Sequence, residues 1–293
     1  MKKGINQWLF PDTMGIEACM ALAKEAGFDG IELCLSEGAK PAGQSPSNLA
    51  DEAGIGGYRS ELALDTPEED IRSMAAAAER IGIEVTSVCS ALYFPYPLTS
   101  PDPEIRAKGI ETARKAIQSA SLLGAEIALV IPGIVTPEVS YSQALESSKA
   151  ILDELVAAAG EAGVYLAIEN VWNKFLLSPL EFRDYIDSFQ SEHICALFDV
   201  ANILAYGYPE EWIEVLGSRV KSVHVKDFKM SAGNIEGFVN VLQGDVNWPG
   251  VMESLRRIRY DGYLTVESIP AYKHCPDSQV YEASIALDRL INL

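Results

Sequence analysis

Basic charge is scarce in this 293-residue chain: 23 Lys and Arg stand against 42 Asp and Glu, a net charge of −19 at pH 7. Nucleic-acid binding needs a basic stripe to meet the phosphate backbone, so this balance argues against a nucleic-acid partner. The excess acid also keeps a protein soluble. A sugar phosphate is not excluded, because a few local lysines can offset the global field. Cysteine is sparse and unpaired in pattern. The five residues Cys19, Cys34, Cys89, Cys195 and Cys275 are an odd number with no CxxC, which predicts reduced thiols of a cytoplasmic protein rather than a disulfide framework. Long apolar runs are missing too. The opening MKKGINQWLF has two lysines but no apolar signal-peptide core, so neither a signal peptide nor a membrane span is expected.

What is present is a succession of short apolar runs. Eight read as strands: Gly4–Trp8, Gly30–Leu35, Ile83–Cys89, Glu126–Ile131, Val164–Glu169, Ile194–Asp199, Val220–Val225 and Tyr263–Glu267. Rich in Val, Ile and Leu and bounded by polar residues, they have the character of fully buried parallel strands. Helical patterns separate them. Asp12/Thr13 precedes the first, which stops at Gly27; Thr66-Pro67-Glu68-Glu69 reads as an N-cap with a capping box; Ser100-Pro101 and Ser178-Pro179 open two more. Strand and helix in alternation predict an α/β fold, a single (β/α)8 TIM barrel. The hydrophobic content of 48% is ample for one core, so residues 1–293 are expected to form one domain. Two connections exceed ordinary loop lengths, Ser36–Asp65 after strand two and Asp227–Asn247 after strand seven. Both fall on the C-terminal face of the barrel, where the first reads as a cover over the substrate or a disordered tip. In the second, Asn247 has the look of an N-cap.

Four residues end the last four strands: Glu169 in VYLAIEN, Asp199 in ICALFD, His224 in VKSVHVKD and Glu267 in YLTVES. Their spacings of 30, 25 and 43 residues are each about one βα unit or somewhat more, so in a closed barrel all four converge on one face. Buried carboxylates brought that close need a cation between them. Oxygen-rich, histidine-poor ligation suits one Mn2+ or Mg2+ ion and tolerates Zn2+ or Co2+.

The motifs that carry these residues, IEN at 168–170, FDVAN at 198–202, HVKD at 224–227 and VES at 266–268, resemble the xylose-isomerase-like TIM barrel superfamily. KEAGFDGIEL at 24–33 and GDVNWPGVMESLRRIRYDGYLTVE at 244–267 extend the resemblance over essentially the whole chain. The branch it most resembles is the sugar phosphate isomerases and epimerases, with ketose 3-epimerases and pentulose-5-phosphate 3-epimerases as characterised relatives. That resemblance implies a divalent metal on Glu169, Asp199, His224 and Glu267, with Glu169 and Glu267 also the acid/base pair. It implies too that dimers and tetramers are common. The superfamily includes AP endonucleases with three zinc ions, but this chain has only three histidines and reads Asp199-Val200-Ala201-Asn202 where related barrels often have D-x-x-H. Phosphodiester hydrolysis is therefore not expected.

Around that centre the sequence offers substrate candidates. Lys226 reads either as a holder of a hydroxyl or phosphate or as a surface partner of Asp227. Trp8 and Trp172 read as walls for a sugar ring or as packing, and Glu32 as a substrate partner or a buried polar link. Asn170 and Asn173 are candidate hydroxyl binders. The expected activity is 3-epimerisation, or the closely related isomerisation, of a keto-sugar or its phosphate through a metal-bound enediolate. An inosose-dehydratase-like lyase and a non-catalytic sugar-binding barrel are the alternatives.

Overall fold

The computed structural model describes residues 1–11, 13–38, 60–267, 272 and 274–293. Eight parallel strands close into a barrel: β1 (Lys2–Asn6), β2 (Gly30–Cys34), β3 (Glu84–Cys89), β4 (Ile127–Val130), β5 (Tyr165–Glu169), β6 (Ile194–Asp199), β7 (Val220–Val225) and β8 (Tyr263–Val266). Each strand pairs with its sequence neighbours, and β8 closes on β1. Every residue of β2 and β6 is buried, which is why these runs are continuously apolar instead of alternating. The helices α1 (Ile16–Glu25), α2 (Glu68–Ile81), α3 (Pro103–Leu123), α4 (Tyr141–Ala162), α5 (Pro179–Asp187), α6 (Val200–Ile203), α7 (Pro209–Leu216), α8 (Trp248–Arg257) and α9 (Pro276–Ile291) connect and surround them. No helix among the described residues is long and apolar enough to cross a membrane.

The barrel and the helix stop at Gly27 follow the expected pattern. Gly27, Gly82, Gly124 and Gly163 end helices at positive φ, the conformation that glycine adopts without a Cβ penalty. Ser178 caps α5 through its side chain, and Asn247 caps α8 in the same way. Four expected starts are placed differently. The first strand begins and ends two residues earlier than the apolar run suggests, and Gln7–Leu9 form a 3-10 turn after it. Helix α1 starts at Ile16, whose N–H is received by the Glu61 carboxylate at 2.7 Å, a tertiary cap invisible in local sequence. Pro67 takes the N-cap position of α2, because the Thr66 hydroxyl is engaged with Ala63 N and Glu61 O instead. Asp102, two residues past Ser100, caps α3.

The long connection after β2 is described only at its stem, where Ser36 and Ala63 form a parallel bridge and the Ser36 hydroxyl contacts Ser60 and Leu62. The rest of that expected cover, residues 39–59, lies outside the described residues, as do Asp12 and Ser268. The connection after β7 contains a small antiparallel ribbon, Asp227–Phe228 against Phe238–Val239. Asp227 organises it. One buried carboxylate accepts from Phe228 N, Val246 N, Leu242 N and Trp248 Nε1 at 2.9 to 3.1 Å. Gly244 packs so closely that a Cβ there would run into that carboxylate and the Phe228 nitrogen. Removing the staple leaves three buried donors and one partly buried donor unpaired. Asp227→Ala is therefore expected to lower unfolding stability by about 3 kcal/mol, measured by urea titration; a loss below about 1 kcal/mol would show that the loop does not depend on it.

Candidate metal centre and active site

The C-terminal barrel face gathers the four strand-end residues. Glu169 closes β5, Asp199 closes β6, His224 lies near the end of β7, and Glu267 follows β8 with its N–H bonded to Val225 O at 3.1 Å. A register shift between Ala196 and Leu197 brings Asp199 level with His224. All four side chains are buried, and one ligand atom from each lies within 4.8 Å of every other. A six-coordinate cation with ligands at about 2.1 Å sets opposite ligand atoms roughly 4.2 Å apart, so the cluster is of the right size to hold one ion.

Lys226 supplies an observation on the fit. It is not a surface partner of Asp227. Its ammonium is buried between the Asp199 and Glu267 carboxylates and contacts both. Two of the four candidate ligands thus already share a positive charge. Asp199 divides its oxygens: Oδ1 accepts from Asn202 N at 2.8 Å as the N-cap of α6, and Oδ2 faces Lys226. Both Asp199 oxygens thus already have a partner within the protein.

Electrostatics follow from four buried acids facing two buried bases. Burial pushes the Glu169 carboxyl up to about 7, against the pull of His224. Burial also raises Asp199, although Lys226 opposes it. For His224, burial alone would depress the imidazole, but Glu32 and Glu267 outweigh it and hold the pKa well above the usual value. Lys226 is raised in the same manner, burial being overcome by Asp199 and Glu267.

The remaining substrate candidates divide. Trp172 is half-buried, donates from Nε1 to Asn202 O at 2.9 Å, and joins Phe228 and Phe238 with ring centroids 5.4 and 5.1 Å away. The Lys226 ammonium lies 5.3 Å from the Phe238 ring, so this aromatic group borders the cluster. Trp8 packs in the hydrophobic core, in the turn after β1 rather than at a strand end. Asn170 and Asn173 have their amides engaged within the protein. Asn170 brackets the Asp199 backbone, donating to its oxygen and accepting from its nitrogen, both at 2.8 Å. Asn202, in the place of the missing histidine, donates to Asn170 O at 2.9 Å. Asn173 donates to Gly133 O at 2.7 Å and ties the β4 and β5 loops together. Glu32 lies wholly buried beneath the cluster, held by Asn6, Ser87 and His224. Asn6 and Ser87 carried no signal in sequence, being small polar residues inside apolar runs. The cysteines are free thiols, and burial pushes Cys19 and Cys195 up to about 12, which suits inert packing.

A profile of the xylose isomerase-like TIM barrel family matches residues 20–290. The chain belongs to that family. Among curated members of known activity, L-ribulose-5-phosphate 3-epimerase of Salmonella paratyphi A is 27% identical over 271 residues, 90% of this chain and 86% of the relative. An uncharacterised protein of Methanocaldococcus jannaschii is 26% identical over 68% of this chain and 69% of its own length. In three dimensions, this family member superposes on a D-tagatose 3-epimerase-like protein with a TM-score of 0.76 and 20% identity, over 100% of this chain and 97% of that one.

Proposed function

We propose that this protein is a divalent-metal-dependent epimerase of a keto-sugar or keto-sugar phosphate, acting at C3, and that residues 1–293 form its one domain. The observation that carries the reading is the placement of Glu169 and Glu267 in one buried cluster with Asp199 and His224. The two glutamates come from β5 and β8, which have two strands between them in the barrel order, so they approach the centre from different sides. Similarity over 90% of the chain to a sugar-phosphate 3-epimerase supports the substrate class.

Epimerisation beside a ketone removes a proton from one face of a carbon and returns one to the other. A divalent cation on Glu169, Asp199, His224 and Glu267, most suitably Mn2+ or Mg2+, would supply Lewis acidity toward the ketone and neighbouring hydroxyl. Glu169, with its pKa lifted by burial to about 7, suits proton exchange near neutral pH. Glu267 serves the opposite face, and the roles swap with reaction direction. Lys226, already among the carboxylates, would meet a substrate hydroxyl or phosphate oxygen, and Trp172 with Phe238 would cover the sugar's apolar side.

The test is deuterium wash-in. Protein with Mn2+ in D2O is incubated with ketopentoses, ketohexoses and their phosphates, and exchange is followed by NMR. Exchange at C3 with inversion is the expected result. Exchange at C1 or C2 would move the assignment to aldose–ketose isomerisation, loss of water to a dehydratase, and no exchange despite bound metal would overturn the enzymatic reading.

A further inference from the structure

The Glu32 carboxylate is 0% exposed, yet it is not idle filler in the barrel. Asn6 and Ser87 stand level with it on the flanking strands, β1 and β3. Asn6 Nδ2 donates to Oε1 at 2.6 Å, Ser87 Oγ to Oε2 at 2.7 Å, and His224 Nε2 to Oε1 at 2.8 Å. Asn6 is itself held, its Oδ1 accepting from Trp8 N at 2.7 Å. The carboxylate therefore has little freedom to turn, and through it neither does the imidazole. On the other edge of the ring, His224 Nδ1 lies 3.2 Å from Glu169 Oε1 and 3.8 Å from Glu267 Oε2.

A carboxylate accepts hydrogen bonds and repels a lone pair, so the ring nitrogen beside Glu32 must carry the hydrogen. A neutral imidazole has one hydrogen, and with it on Nε2 the free lone pair sits on Nδ1, the nitrogen that faces Glu169 and Glu267. We infer that Glu32 is a positioning residue that commits His224 to bind the cation through Nδ1, with Asn6 and Ser87 holding Glu32 in place. Histidines that ligate metals are commonly oriented by such a second partner, whose loss weakens metal binding about 10- to 100-fold. The inference rests on the four-ligand cation site proposed above and not on the identity of the sugar.

Glu32→Gln keeps the size of the side chain but removes the negative charge that draws the hydrogen to Nε2. Titration calorimetry with Mn2+ is expected to show affinity 10- to 100-fold weaker than wild type. Long-range 1H–15N spectra of the protein loaded with Cd2+ are expected to place the metal on Nδ1 and the hydrogen on Nε2 in wild type, and to lose that pattern in Glu32→Gln. A general packing defect would lower melting temperature without moving the ring nitrogens. If Glu32→Gln does not fold, Ser87→Ala loosens the same carboxylate and is expected to weaken Mn2+ binding a few-fold in the same direction. Metal on Nε2 in wild type, affinity of the variants within twofold of wild type, or no cation bound by wild type would each overturn the inference. Inactivity toward every sugar would bear on the proposed epimerisation alone.

Discussion

Glu169→Gln and Glu267→Gln are each expected to lower the rate of inversion by about 10^3-fold, near the middle of the range that positioned acid–base groups contribute. Gln keeps the shape and one oxygen but cannot accept or deliver the proton. Because both residues are candidate ligands, the comparison is made at saturating Mn2+, with bound metal measured directly. The two variants should then differ in a way that a simple loss of metal would not reproduce. When one epimer presents its C3 hydrogen to Glu169, Glu267→Gln still permits removal and return on that face. Deuterium then washes in without inversion, while the other epimer shows no exchange. Glu169→Gln should give the mirror result.

That asymmetry is the sharpest consequence of placing the two glutamates on β5 and β8. A lone base serving both faces would have to move across the bound sugar, and one of the two substitutions would then be nearly silent. Inversion within tenfold of wild type in either variant would remove that glutamate from the chemistry. Loss of exchange and inversion together from both epimers, with metal retained, would point to a shared role in binding the substrate.

The parts of this site that sequence reveals are those repeated at the same structural address. Glu169, Asp199, His224 and Glu267 each stand at or just past the end of a buried strand, and barrel geometry alone brings strand ends together. The barrel itself is legible for the same reason, since strands buried on both faces leave uninterrupted apolar runs. Residues whose partners are set by the third dimension are not legible in this way. Lys226 next to Asp227 suggests a local ion pair, but the lysine, just past β7, turns inward to Asp199 and Glu267. Asp227 turns the other way and staples its own loop. Asn170 resembles a hydroxyl binder until register sets it beside the Asp199 backbone. Glu61 capping α1 from 45 residues away follows the same logic.

Metal affinity is expected to rise steeply with pH, because a cation entering this cluster must displace protons. In its absence Glu169 holds its proton up to about pH 7, and His224 well beyond the usual imidazole range. A ligating nitrogen or oxygen must give that proton up, and each proton released adds about one logarithmic unit of affinity per pH unit. Both groups contribute below pH 7, so the slope there should approach two; above it only His224 still does, and the slope should fall toward one. Stability carries the same signature. Both groups have pKa values raised by folding, so their contributions are full below the unfolded values and are lost as pH rises through the folded ones. The lowered pKa of Glu32 acts in the opposite sense, but its contribution is lost only on acidification below the ordinary carboxylate range. Between pH 5 and 8 the melting temperature of protein in chelator should therefore decline, while protein saturated with Mn2+ should hold steady or gain. Parallel melting curves in the two conditions would mean that the protons on Glu169 and His224 are not linked to the cation, and that the metal, if bound, sits elsewhere.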